Sequence, residues 1–208
     1  MSINYKILEK INNDIVGKNI KLLIVTKNRP CEDVKQLIKM GYSEFAENRV
    51  QEAQKKYIDI LPDKDIKLNL IGPLQSNKVK QALNLFDTIQ SVDREKIVNE
   101  ISKHVNTASK TKNFYIQINI GQESQKSGID PDDFNEFYNY CINKKLNISG
   151  IMCIPPQDKD PRPFFEKMNV LRSNINKKLI LSMGMSSDYE IALECQTDEI
   201  RIGSLIFS

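Results

Sequence analysis

"KLLIVTKNRP", residues 21–30, sets four apolar side chains, Leu22, Leu23, Ile24 and Val25, against a threonine and a lysine, and then stops at Asn28, Arg29 and Pro30. A short run of branched apolar residues closed by turn residues reads as a buried strand. The strand ends in an amine. Strands end at the surface and lysines favour water, so Lys27 has an ordinary explanation. Whether a chemical one competes with it depends on what the other strands carry at the same end.

Seven further runs follow: the weak "SEFAEN" (43–48), then "KLNLIGPL" (67–74), "DTIQSV" (87–92), "NFYIQINI" (113–120), "NISGIMCI" (147–154), "KLILSMGM" (178–185) and "EIRIGSLIF" (199–207). Amphipathic stretches separate them at 31–40, 49–60, 76–84, 94–108, 131–144, 161–174 and 188–194. Asp93, Asp130-Pro131 and Ser187-Asp188 supply helix starts, and Gln75-Ser76-Asn77 can cap the helix after the third strand. Ile3, Ile7, Leu8, Ile11 and Ile15 recur at helical spacing and mark a leading helix. Eight strands alternating with helices, behind one extra N-terminal helix, predict an α/β fold, the (β/α)8 TIM barrel; a doubly wound open sheet is the alternative. No GxGxxG follows any strand, which weakens a dinucleotide site. With no internal repeat, linker or break in composition, residues 1–208 read as a single domain.

Composition removes several function classes. Thirty basic residues face 27 acidic ones, a net charge of +3, and no Lys/Arg block with interleaved aromatics appears, so nucleic acid is not an expected partner. No apolar run approaches membrane-spanning length, and the N-terminal stretch is not patterned as a signal peptide. Cys31, Cys141, Cys153 and Cys195 are widely spaced, as expected of reduced thiols in a cytoplasmic protein. A single histidine, His104, leaves His-rich metal sites and Ser–His or Cys–His dyads with almost no support, and no metal site is expected.

Barrels place their sites at the C-terminal ends of the strands, with phosphate commonly bound after strands seven and eight. Those two loops carry Gly184, Ser186, Gly203 and Ser204. Glycine lets backbone N–H groups approach an anion and serine adds a hydroxyl, although both also fill ordinary turns. Arg201 lies inside "EIRIGSLIF", on a strand covered on both faces. Its guanidinium cannot lose its proton and needs an acceptor, either a ligand or an internal carboxylate such as Glu47 or Asp188. An amine at the first strand end, a phosphate site and a buried arginine together match pyridoxal 5′-phosphate (PLP). Lysine would bond its aldehyde, with the lysine pKa lowered by desolvation or a nearby cation.

From about residue 20 onward the sequence resembles the pyridoxal-phosphate homeostasis proteins, relatives of the alanine-racemase N-terminal barrel. The segments that carry the resemblance are "FAENRVQE" (45–52), "IGPLQSNK" (71–78), "SVD" (91–93), "QINIGQESQKSGI" (117–129), "GIMCIPP" (150–156), "LSMGMSSDYEIAL" (181–193) and "RIGSLIF" (201–207). The resemblance implies a PLP barrel with the aldimine at Lys27, Asn48 beside the cofactor, Ser186 and the Gly203-Ser204 backbone at the phosphate, and Arg201 at the pyridine nitrogen. It also makes Lys126 a candidate second contact. The implied role is to hold PLP and supply it to apo PLP-dependent enzymes, as a monomer and without dedicated catalysis. The rival readings are a PLP-dependent amino-acid racemase and a cofactor-free Schiff-base aldolase. Ala46, Arg49 and Asn69 depart from the family pattern, Asn28 and Arg29 alter the segment after the lysine, Gln196 stands near an expected glycine, and the sequence stops at Phe207-Ser208 where the pattern runs on.

Overall fold

Eight parallel strands close on one another in chain order, β1 through β8 and back to β1, in the computed structural model, which describes residues 3–61, 65–105 and 109–207. The strands are β1 Lys21–Val25, β2 Glu44–Glu47, β3 Lys67–Leu70, β4 Thr88–Val92, β5 Asn113–Ile118, β6 Ile148–Cys153, β7 Ile180–Ser182 and β8 Glu199–Ile202. The helices are α1 Tyr5–Ile15, α2 Cys31–Lys39, α3 Val50–Tyr57, α4 Val79–Leu85, α5 Glu95–His104, α6 Phe134–Asn143, α7 Arg162–Ile175 and α8 Tyr189–Glu194. The closed barrel is the expected one, and the doubly wound alternative is excluded. Residues 106–108 of the expected fifth helix, together with Ser208, lie outside the described residues.

Alternation along the strands sorts the side chains into two compartments. Ile24, Phe45, Leu68, Leu70, Ile116, Ile200 and Ile202 join the ring of core between sheet and helices. The opposite faces turn inward, where Leu23, Val25 and Ala46 form a small separate cluster. The rest of the interior is polar, with Asn69, Gln90, Ser182, Glu199 and Arg201 all buried; the register sets Arg201 beside Leu23 and Asn69 beside Ala46. The same parity corrects one of the expected partners of Arg201. Glu47 follows inward-facing Ala46, so its carboxylate lies on the helix side, against Lys56 of α3.

Strand ends and caps differ from expectation in places. The seventh and eighth strands are shorter because Met183, Ile206 and Phe207 bury themselves in loop and turn conformations. Asp93 does not cap α5; it pairs with Arg94 at 2.5 Å. Asp188 does not cap α8 through its side chain but turns back to accept the Met185 amide at 2.5 Å. No Gln75, Ser76 or Asn77 side chain caps the turn Ser76–Lys78 that leads into α4. Asp130 does act as a start, accepting the Asp132 amide at 2.9 Å.

The N-terminal residues of the described chain meet the turn that follows the last strand. The Asn4 amide donates to the Ile206 carbonyl at 2.8 Å, and Arg29 Nη2 donates to the Phe207 carbonyl at 2.8 Å. α8 ends in a Schellman arrangement: the Thr197 amide bonds the Ala192 carbonyl at 3.1 Å and the Gln196 amide bonds the Leu193 carbonyl at 3.2 Å. Gln196 therefore takes φ 59°, the left-handed conformation that favours glycine, at the position where the sequence departs from an expected glycine. A Gln196→Gly variant should be more stable by about 1 kcal/mol. For a chain of this size that is a rise of about 2–4 °C in Tm. Thermal melts followed by circular dichroism check it; an unchanged or lower Tm would show that the exposed glutamine is not strained.

Candidate functional site

The C-terminal ends of the strands open on a cavity of about 580 Å³, within the range of small-molecule sites. Lys27, Asn48, Ser186, Arg201, Gly203 and Ser204 all line it. Six of the seven residues singled out from sequence thus come together. Gly184 is the exception. It stands outside the lining with φ 96°, and a Cβ there would sit 2.6 Å from the Ala192 Cβ, so its smallness serves the packing of β7 against α8.

Each side chain is delivered by a local device. Lys27 follows β1 in a turn closed by the Arg29 amide on the Thr26 carbonyl at 3.1 Å. It is exposed, so the desolvation expected for this amine is not what the fold supplies; the fold supplies its placement. Asn48 is held by a close backbone approach from the loop after β3, where a Cβ on Gly72 would fall 2.2 Å from the Asn48 carbonyl oxygen. Ser186 rides a turn pinned three ways: the Asp188 and Tyr189 amides reach the Met185 carbonyl at 3.1 and 2.9 Å, and the Asp188 carboxylate takes the Met185 amide. Across from it, Ser204 opens a turn in which the Ile206 and Phe207 amides bond back to the Gly203 carbonyl at 2.9 and 3.2 Å. Its own amide has no hydrogen-bond partner among the described residues and is available to an anion.

Arg201 is 3% exposed and forms the deep wall. Nη1 donates to Ser182 Oγ at 2.7 Å and Nη2 to the Cys153 carbonyl at 2.8 Å. Among the described residues it makes no ion pair with Glu47 or Asp188, so the internal salt bridge considered from sequence is absent. Two of its five N–H groups are engaged. A permanently charged, desolvated guanidinium with donors to spare lines a cavity that also holds an amine, two hydroxyls and an unpartnered amide. That donor set fits an anionic aldehyde with a hydrogen-bond acceptor at its far end.

Sequence reading missed what lies beneath. Ser182 Oγ is 2.8 Å from both Gln90 Oε1 and Glu199 Oε1, Gln90 Nε2 donates to Glu199 Oε1 at 2.7 Å, and Glu199 Oε2 is buried without a partner among the described residues. Burial pushes the Glu199 carboxyl up, against the pull of its bonds to Ser182 and Gln90. Gln117 also lines the cavity, with its amide on the Ser127 carbonyl at 3.0 Å. Its signal was present: in "NFYIQINI" alternation sets Gln117 opposite Ile116 and Ile118. Lys126 reaches the cavity too, donating to the Pro155 carbonyl at 3.2 Å and paired with Glu123.

Known proteins resemble this chain in sequence and in fold. The family model described as alanine racemase, N-terminal domain, matches residues 7–208. A pyridoxal phosphate homeostasis protein of Aquifex aeolicus is 36% identical over 201 residues, covering 92% of this chain and 88% of the relative. The structure of PipY from Synechococcus elongatus without PLP superposes with a TM-score of 0.90 at 27% identity, covering 98% of this chain and 99% of PipY. PipY with PLP bound gives a TM-score of 0.85 at the same identity and coverage. Alanine racemase from E. faecalis, at 15% identity and a TM-score of 0.73, shares the fold over 99% of this chain and 58% of its own.

The elevated Glu199 carboxyl has a measurable consequence. In the folded protein it retains a proton that the unfolded chain has lost, so its contribution is complete below the ordinary carboxylate pKa and declines as pH rises toward the folded value. Glu199→Gln should therefore gain stability relative to wild type between about pH 5 and about pH 8. Each unit of elevation corresponds to about 1.4 kcal/mol. Paired melts at the two pH values test it; a Tm difference that does not change with pH would refute the elevated carboxyl.

Proposed function

This chain belongs to the family of the pyridoxal phosphate homeostasis proteins, built on the alanine racemase N-terminal domain, and from that premise we propose that its barrel, residues 1–208 as one cofactor domain, holds PLP and passes it to apo-enzymes in the cytoplasm. The observation that carries the reading is the convergence of Lys27, Ser186, Ser204 and Arg201 on one cavity at the C-terminal strand ends. PLP supplies an electrophilic aldehyde and an electron-withdrawing pyridine ring. The Lys27 amine attaches the aldehyde. Ser186 and the Gly203-Ser204 backbone bind the phosphate, and Asn48 flanks the ring. Arg201 donates a hydrogen bond to the pyridine nitrogen.

Arg201 is also the argument for a carrier over a racemase. A guanidinium does not yield its proton, so a ring nitrogen facing it stays unprotonated and stabilises a carbanion poorly. The free thiols of all four cysteines accord with a reducing compartment, and among the described residues no helix is long and apolar enough to cross a membrane. The protein is proposed to act as a monomer.

Two measurements test the assignment. Borohydride treatment of the PLP-loaded protein, followed by peptide mapping, should place the pyridoxyl mark on Lys27; a mark mainly on Lys78 or Lys126 contradicts it. Removing the phosphate forfeits several charge-assisted hydrogen bonds of about 1.5–3 kcal/mol each, so pyridoxal should bind about two orders of magnitude or more less tightly than PLP. Equal affinities would defeat the phosphate assignment. The carrier reading further requires that the wild type exchange the α-proton of added amino acids with solvent slowly, without sustained turnover. Rapid racemisation seen by NMR would transfer the case to an enzyme.

A further inference from the structure

Burial does not hold Lys27 in place, because the side chain is exposed; the backbone on either side of it is held instead. Lys27 is the second residue of the Thr26–Arg29 turn, and Asn28, the third, has φ 60°, the positive value a type II turn requires there. Behind the turn stands Lys56 of α3. Its Nζ donates to the Thr26 carbonyl at 2.5 Å, to Glu47 Oε1 at 2.7 Å and to Glu52 Oε1 at 3.0 Å. An ammonium has three protons, and each has an acceptor. Glu52 Oε1 in turn accepts the Asn28 amide at 2.5 Å. One cation therefore grips the residue before Lys27 directly and the residue after it through a single carboxylate.

The surroundings make this grip stiff. The Lys56 side chain is 7% exposed and that of Glu47 is fully buried. The Thr26 hydroxyl lies 2.7 Å from both Glu47 Oε1 and Tyr57 Oη. Neither Lys56, Glu47 nor Glu52 lines the cavity. The cluster acts from the helix side of the sheet, and only its effect on the turn reaches the mouth.

We propose that Lys56 is a positioning residue for Lys27: its ammonium locks the Thr26–Arg29 turn and so fixes where the Lys27 amine stands over the cavity. This rests on the assignment of Lys27 as the residue that takes the aldehyde. In Lys56→Met the amides of residues 27–29 should exchange with solvent deuterium faster in the ligand-free protein, with β8 unchanged. Capture at Lys27, followed by quenching with borohydride, should slow by about tenfold to a hundredfold, the scale of a misplacement near 1 Å. Affinity for pyridoxine 5′-phosphate, which lacks the aldehyde, should change by less than about twofold. Lys56→Arg keeps the charge and the donors and should restore most of the capture rate.

Methionine leaves Glu47 buried without its cation, so Glu52→Gln, which removes the ion pair of Lys56 with Glu52 and weakens the bridge to Asn28 but leaves Lys56 on Glu47 and the Thr26 carbonyl, is the second variant. It should shift exchange and capture in the same direction by less. Unchanged exchange and capture in the folded variants would overturn the proposal. A parallel loss of capture and of pyridoxine 5′-phosphate affinity would also overturn it, because that marks general damage. A wild type bearing no mark at Lys27 overturns the Lys27 assignment and this proposal together, whereas a marked wild type with unaltered variants overturns this proposal alone.

Discussion

The pairing of the last strand with the first is the constraint on which the mouth depends. β1 and β8 run parallel with Leu23 opposite Arg201 and Ile24 opposite Ile202. That register sets Gly203 beside Val25, so close that a Cβ on the glycine would lie 3.0 Å from the Val25 carbonyl oxygen. Two residues beyond Val25 the amine emerges; one residue beyond Gly203 the amide of Ser204, without a partner among the described residues, begins its turn. A slip of one position would exchange inner and outer faces. The guanidinium would then meet the helices and Ile200 and Ile202 the polar interior, with no acceptor for the one and no apolar packing for the others.

Much of this was legible in the sequence, because strands buried on both faces read as apolar runs and their ends coincide with the residues of interest. "EIRIGSLIF" displayed its arginine as an anomaly, and the structure resolves it with a serine hydroxyl and a backbone carbonyl. A backbone acceptor leaves no trace in sequence, which is why the sequence offers only a ligand or a carboxylate for that role. "SEFAEN" looked weak as a strand because it carries Glu44 and Glu47. Glu47 is tolerated in β2 because Lys56 arrives from the next helix and the Thr26 hydroxyl from β1's end to meet it. The pair Glu52 and Lys56 was readable as helix neighbours four apart; the third partner, on the strand, belongs to tertiary structure alone. Where strands were read too long, apolar residues such as Ile206 were burying themselves in a turn.

The interior is divided between an apolar and a polar part. Leu23, Val25 and Ala46 give the mouth a small apolar floor on one side, and the polar chain from Asn69 through Gln90 and Ser182 to Arg201 fills the other. A buried polar chain of this kind is costly unless its members satisfy one another. Here one oxygen of Glu199 remains unmatched, so the stability of the barrel and the setting of Arg201 draw on the same few hydrogen bonds. Side chains that support the guanidinium are for that reason poor places to seek stability without disturbing the cavity.

The contacts between the two ends of the chain, Asn4 with Ile206 and Arg29 with Phe207, carry a consequence for biosynthesis. A chain emerging from the ribosome presents its N-terminal part first. Lys27 and its bracing by α3 can form early from contacts close in sequence. Ser204 and the turn behind it are made well after Lys27, and they are placed only by the pairing of β8 with β1, a contact of long sequence separation and so among the slowest kinds to close. Lys27 and its brace can thus be in place while the opposite wall of the cavity is still missing, and only the docking of β8 closes the cavity around it.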